Sequence, residues 1–193
     1  MKKILLLSLL ALFSCFAIAG GLHTNDVQVN PKKSTVKWKG SKPTSSHSGT
    51  INISTGKLVF DHGRLVGGEF VIDMNTIQNT DIESERKRAS LVEHLKDEDF
   101  FNVEEFPTAE LKIINAAAMS EDNVYKMEAN LTIKGITNKI AFSAIVVVKR
   151  NDFLAEANFK IDRTKWGIKY GSGSFFEDLG NRMILDDIEF DVV

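Results

Sequence analysis

Apolar and polar residues alternate with a period of two along most of this chain. Val36 and Trp38 alternate with Lys37 and Lys39. His47, Gly49, Ile51 and Ile53 share one face, and Ser48, Thr50, Asn52 and Ser54 take the other. Thr55-Gly56 and His62-Gly63 carry turn chemistry, which predicts that residues 57–61 and 64–74 pair as a hairpin. In the second of these, Phe70, Ile72 and Met74 oppose Glu69, Val71 and Asp73. The same alternation fills 123–134 (Tyr125, Met127, Ala129, Leu131, Ile133), turns at Gly135, and resumes over 138–149 with Phe142, Ala144, Val146 and Val148 on one face. Asn151-Asp152 predicts another turn into 153–162, where Phe153, Ala155, Ala157, Phe159 and Ile161 share a face. A Gly/Ser loop at 171–174 precedes a last strand marked by Ile184, Ile188, Phe190 and Val192.

One segment has a different period. Thr80 and Glu83 form a capping-box pattern, and Ile82, Ala89, Val92 and Leu95 follow at helical spacing, widened by Leu91. The spacing predicts a helix over 81–96. Pro107 marks the return to strands, because a proline cannot occupy a helix interior without losing a hydrogen bond. Phe100 and Phe101 lie between, suited either to gate an opening or to seat the helix on the sheet; seating is the preferred reading.

The expected architecture is all-β with one helix: a closed antiparallel β-barrel of about eight long strands. The helix is inserted between the N-terminal strands and the C-terminal meander. A sandwich is the competing arrangement. Runs of 11 to 13 residues are about twice the usual strand. At ~3.3 Å per residue they span roughly 36–43 Å, which a tilt of ~40° reduces to a tube roughly 28–33 Å deep. Such a tube suits an extended acyl or prenyl chain better than a compact metabolite. The inward-facing candidates for lining it are Trp38, Ile51, Phe70, Ile72, Leu131, Phe142, Phe159, Ile161, Trp166 and Phe190. Alternation does not distinguish a hollow tube from a filled one, and core packing explains the same residues.

The first 19 residues read as a secretory signal peptide: Lys2-Lys3, an apolar run, and Ala17-Ile18-Ala19 before Gly20-Gly21. A polar lead-in is expected over 20–32 and one domain over 33–193. The expected address is periplasmic or secreted. Leu12-Phe13-Ser14-Cys15 offers the alternative of a lipoprotein anchored at Cys15, with cleavage after Ala19 preferred. Cys15 is the only cysteine, so the domain carries no disulfide. The formal net charge of −2 becomes more negative once Lys2 and Lys3 are removed, which gives no basis for nucleic-acid binding.

Catalytic candidates are weak. A hydrolase needs a nucleophile oriented by a base and a third group. His47 lies beside Ser46 and Ser48, and His94 near Asp97 and Asp99, but no G-x-S-x-G element is present. His23, His47, His62 and His94 lack metal-ligand spacing. The acidic groups at 97–99 and 104–105 fit no calcium loop. Arg163, Lys165 and Lys169 are placed to meet a polar or phosphate head, or to form a solvated basic patch; the latter is preferred.

Several short motifs stand in a fixed order. They are Trp38 before Lys39-Gly40, His47-Ser48-Gly49, Gly67-Gly68-Glu69-Phe70 leading to Asp73, and His94-Leu95 followed by Asp99-Phe100-Phe101 and Phe106-Pro107. Leu131 to Thr137, Arg163 before Trp166-Gly167-Ile168, and Asp187-Ile188-Glu189-Phe190 complete the order. In this order the chain resembles the YceI-like family over about 33–193. The resemblance implies a lipocalin-like barrel whose interior binds a polyisoprenoid, an isoprenoid quinone or a similar lipid, without covalent cofactor, metal or established catalysis. It supplies no catalytic residues to carry over. The expectation is non-catalytic carriage of a long-chain lipid. The alternatives are a filled barrel acting as an envelope protein-interaction or stress-response module and, less favoured, a hydrolase. Oligomeric state is left open.

Overall fold

The computed structural model describes residues 24–149 and 152–193. The expected signal peptide, Cys15, the first four residues of the lead-in (with His23) and Asn151 of the expected 151–152 turn lie outside the described residues. Nine strands and one helix follow in the order β1 (Thr24–Gln28), β2 (Val36–Ser41), β3 (Ser46–Asp61), β4 (Arg64–Asn79), α1 (Glu85–Lys96), β5 (Thr108–Ala118), β6 (Val124–Ile133), β7 (Ile136–Lys149), β8 (Asp152–Asp162) and β9 (Asp187–Val192). Strands β2 to β9 pair in sequence, and β9 returns to β2, closing an antiparallel eight-stranded barrel. Strand β1 is an extra strand on β3. The architecture is the all-β, lipocalin-like barrel with one inserted helix.

Two tight turns have the chemistry their residues demand. His62-Gly63 and Lys134-Gly135 both place two successive residues at positive φ, the geometry that matches hairpin twist. Thr55-Gly56, by contrast, is not a turn. Strand β3 runs 16 residues through it, with a register shift against β4 between Ile53 and Thr55. Gly56 is there for space: a Cβ would sit 2.7 Å from Phe70 Cδ1. Strand β1 falls inside the expected polar lead-in. Its sequence, with Val27 as its one apolar residue, carries no strand pattern, and pairing with the Lys57–Asp61 edge of β3 imposes the extended form.

The helix starts at Glu85, later than the expected 81. The capping box does not form, and Ser84 stands at the N-cap without a side-chain bond. The preceding residues are bound elsewhere: Thr80 donates its amide to Ser48 O at 3.0 Å, and Ile82 donates its amide to Asn79 Oδ1. Ala89 is exposed, and the inward stripe is Leu91, Val92 and Leu95. The last strand is also shorter than expected, since Ile184 pairs with Ser172 in an isolated bridge outside β9.

Buried apolar side chains form two clusters. One lies at the helix end and joins Leu95, Phe100, Phe101, Trp166 and Ile168 to the β2, β3 and β9 walls. The other lies at the β3–β4 turn end and contains Leu58, Phe60, Leu65, Met127 and Val146. Among the described residues no helix is long and apolar enough to cross a membrane.

Candidate ligand cavity

A cavity of about 260 Å³ lies inside the barrel between the two clusters. Its most ordered wall is aromatic. Register places Phe190 opposite both Trp38 and Phe159. Phe142 stacks on Phe159 at 4.7 Å between centroids, and Phe159 on Phe190 at 5.4 Å. Offset stacking of this kind adds rigidity beyond simple burial. The Trp38 indole is pinned by a 3.3 Å bond from Nε1 to Thr50 O and lies over Gly49, where any Cβ would meet the ring. Ile51, Phe70, Ile72 and Leu131 complete the part of the lining expected from alternation.

Ile161 and Trp166 do not line the cavity. Both are buried in the helix-end cluster. Trp166 is 1% exposed and donates Nε1 to Leu131 O at 3.0 Å. Here the barrel is filled, because a 3-10 turn over Arg163–Trp166 inserts the indole as a plug.

Other lining residues were not signalled by strand period. Leu91 and Leu95 from α1, with Phe100 and Phe101, form the wall at the helix end. The two phenylalanines are buried against the barrel, so they seat the helix and bound the cavity at once. Leu111 and Ile113 on β5 extend the apolar surface, together with Met127 and Ile184, which the strand pattern does mark.

Polar side chains among the lining are confined to a few places: the β2–β3 turn (Ser41, Lys42, Ser45, Ser46, His47), Arg163 and Glu156. Lys42 and Ser45 are exposed, so the cavity opens at this turn. The turn is held from two sides. Leu185 donates its amide to Ser41 O at 2.8 Å. On the other side His47 Nδ1 lies 3.0 Å from Asp81 Oδ2, while Asp81 Oδ1 accepts from the Ser48 amide and from Asn79 Nδ2. Partial burial disfavours the Asp81 charge, but the bonds from His47, Asn79 and Ser48 outweigh it and hold this carboxyl below its ordinary value.

Arg163 contradicts the solvated-patch reading. Its side chain is 1% exposed and donates to Ile168 O (2.8 Å), Ile184 O (3.0 Å), Leu185 O (3.2 Å) and Asp186 Oδ1 (3.4 Å). Burial lowers its pKa, opposed by the charges of Asp186 and Asp162. With four of its five N–H donors engaged, Arg163 fixes the rim segment 184–186. Lys165 and Lys169 are exposed, and Lys169 sits 4.5 Å above the Phe175 ring.

The histidines have ordinary partners. His94 packs edge-on against Phe100 and Tyr170. His62 lies 2.7 Å from Asp61 on the β3–β4 turn. Among the described residues no group of three His, Cys, Asp or Glu side chains is placed to hold a metal.

The fold has solved counterparts. BcnA of Burkholderia cenocepacia superposes with a TM-score of 0.68 at 18% identity, covering 85% of this chain and 96% of that one. A polyisoprenoid binding domain from Saccharophagus degradans gives 0.60 at 15% identity, covering 86% and 94%. The YCEI protein of Campylobacter jejuni gives 0.51 at 18% identity, covering 80% and 81%. Among curated proteins none matches significantly. The family model of the YceI-like domain matches residues 27–193, and the chain belongs to that family.

Proposed function

We propose that this protein binds and carries a long apolar amphiphile, a polyisoprenoid, isoprenoid quinone or similar lipid, without catalysing a reaction on it. The observation that carries this reading is the cavity itself: an apolar chamber walled by Trp38, Phe142, Phe159 and Phe190, with its polar lining gathered mainly at the β2–β3 turn. The tail enters the chamber, and the head stays at the turn beside Lys42, Ser45, Ser46 and His47. The polyisoprenoid-binding Saccharophagus domain of the same fold supports the ligand class. The cavity favours carriage over an interaction module with a filled barrel.

The energetics are favourable. Each five-carbon unit hides on the order of 100 Å² of apolar surface, about 2.5 kcal/mol gross at ~25 cal/mol per Å². Ordering of the chain and loss of its translational freedom reduce this figure. The signal-peptide pattern over residues 1–19 supports an address in the bacterial envelope, where such lipids need transport between aqueous and membrane phases.

Native mass spectrometry of protein purified without detergent from the envelope fraction, followed by organic extraction, tests the reading. A stoichiometric co-purifying lipid is expected. Empty protein that also fails to take up prenols in vitro overturns it.

A further inference from the structure

The barrel is closed unevenly. At the helix end, β9 is hydrogen-bonded on both sides, from Gly40↔Ile188 to Val36↔Val192 on β2 and from Asp162↔Asp187 to Ala157↔Val192 on β8. On β2 the ladder continues to Val193, which exchanges both backbone bonds with Thr35, but on the β8 side it stops at Ala157↔Val192; β8 runs on through residues 152–156, paired among the described residues with β7 alone. Facing it across the gap is β1, which among the described residues pairs with β3 alone. Among the described residues two strand edges thus oppose each other without a ladder, which leaves their join to side-chain contacts.

A second cavity of about 430 Å³ occupies this seam. It shares four lining residues with the central chamber: Ile53 and Phe70 on one bank, Ala155 and Val192 on the other. The inner part is apolar, continued outward by Leu154, which is 51% exposed. The central chamber also reaches the exposed Glu156 on the same stretch of β8.

Volume makes the junction consequential. An aliphatic-lined cavity of ~150 Å³ takes one benzene ring. By that scale the central chamber, at about 260 Å³, holds about ten carbons of a chain. A longer tail has to leave the chamber, and the four shared residues mark an apolar route out.

We infer that the β1–β8 seam is a second binding subsite that takes the distal tail of a long-chain amphiphile and so sets the chain length the protein accepts. This rests on the carrier reading above. The head stays at the β2–β3 turn, the first units fill the aromatic chamber, and the remainder passes between Phe70 and Ala155 to lie along Leu154.

Two prenols separate the subsites: geraniol, short enough for the chamber, and solanesol, which is not. In Leu154→Asp, at a residue that lines the seam and not the chamber, a carboxylate is set on the path of the distal tail. Solanesol affinity is expected to fall at least about tenfold and geraniol affinity to stay within about twofold. Independently of that variant's folding, a polyprenol carrying a diazirine at its distal end is photolysed in the unaltered protein, with labelling expected on Phe153 or Leu154. Distal labelling confined to the helix-end residues, or an equal loss of both prenols in Leu154→Asp, overturns the seam subsite. Binding of geraniol without solanesol overturns the subsite and leaves the carrier reading standing. Binding of neither sinks both.

Discussion

The two ends of this barrel are held by different means. The helix end is tied by ladders and by polar side chains working inside a core: Trp166 bonded to Leu131 O, and Arg163 bonded to the carbonyls of Ile168, Ile184 and Leu185. The opposite end is packed by Leu58, Phe60, Leu65, Met127 and Val146, and its wall is interrupted where β1 and β8 face each other unpaired. A buried polar group must keep its geometry, because losing a partner leaves an unsatisfied atom in low dielectric. Apolar contacts tolerate sliding. The helix end is therefore the rigid frame of the cavity, and the seam is where the wall can yield to a chain passing through it.

Trp166→Ala is the harshest test of that contrast. It removes a fully buried indole and its bond to Leu131 O, so a loss of about 3–5 kcal/mol is expected from urea unfolding. Leu154→Ser at the seam, where the side chain is half exposed, is expected to stay within about 0.5 kcal/mol. Comparable losses at the two sites would show that the ends are equally rigid.

Phe142→Arg comes next. The ring stacks on Phe159 inside the chamber, and a guanidinium there has no acceptor prepared for it. Prenol uptake is expected to vanish, read by native mass spectrometry on variant protein whose circular dichroism shows an intact barrel. Unchanged uptake by a folded variant would remove the chamber from the binding path. Gly56→Ala should be milder. A Cβ at 2.7 Å from Phe70 Cδ1 pushes that ring toward the neck shared by chamber and seam. A fall in solanesol binding that exceeds any fall in geraniol binding is expected.

Much of this arrangement is legible in the order of residues, because alternation is a direct readout of which face a strand buries. Trp38, Ile51, Phe70, Ile72, Leu131, Phe142, Phe159 and Phe190 all fall on the chamber wall. Alternation carries no measure of depth along the tube. Ile161 obeys the pattern but lies beside the 3-10 turn that fills the barrel, and Trp166 sits on that turn, outside the alternating strands. Strand β1 has no signature of its own because its extended form comes from the edge it joins. Thr55-Gly56 misleads because a glycine needed for close approach to Phe70 looks the same as a glycine needed for a turn. Arg163 reads as surface because burial of an arginine depends on acceptors more than twenty residues away in sequence, at Ile184 and Leu185.

The smallest effect concerns the mouth. Asp81 ties the β2–β3 turn to the end of β4 through His47, Asn79 and the Ser48 amide. Its carboxyl is held below the ordinary carboxylate value in the folded protein, so the unfolded chain binds more protons near that value. The stabilisation is complete above the unfolded-state pKa and is lost as pH falls through the lower folded-state pKa. Because the group is partly exposed, the effect should stay within about 1 kcal/mol. Asp81→Asn should flatten the acid limb of the stability–pH curve by that amount. It should also speed release of bound prenol at neutral pH, since the turn that borders the head loses an anchor. The helix-end frame stays intact in this variant. A faster off-rate with a pH 7 urea stability lowered by no more than that ~1 kcal/mol would locate control of release in the turn, whereas an unchanged off-rate would move it to the seam.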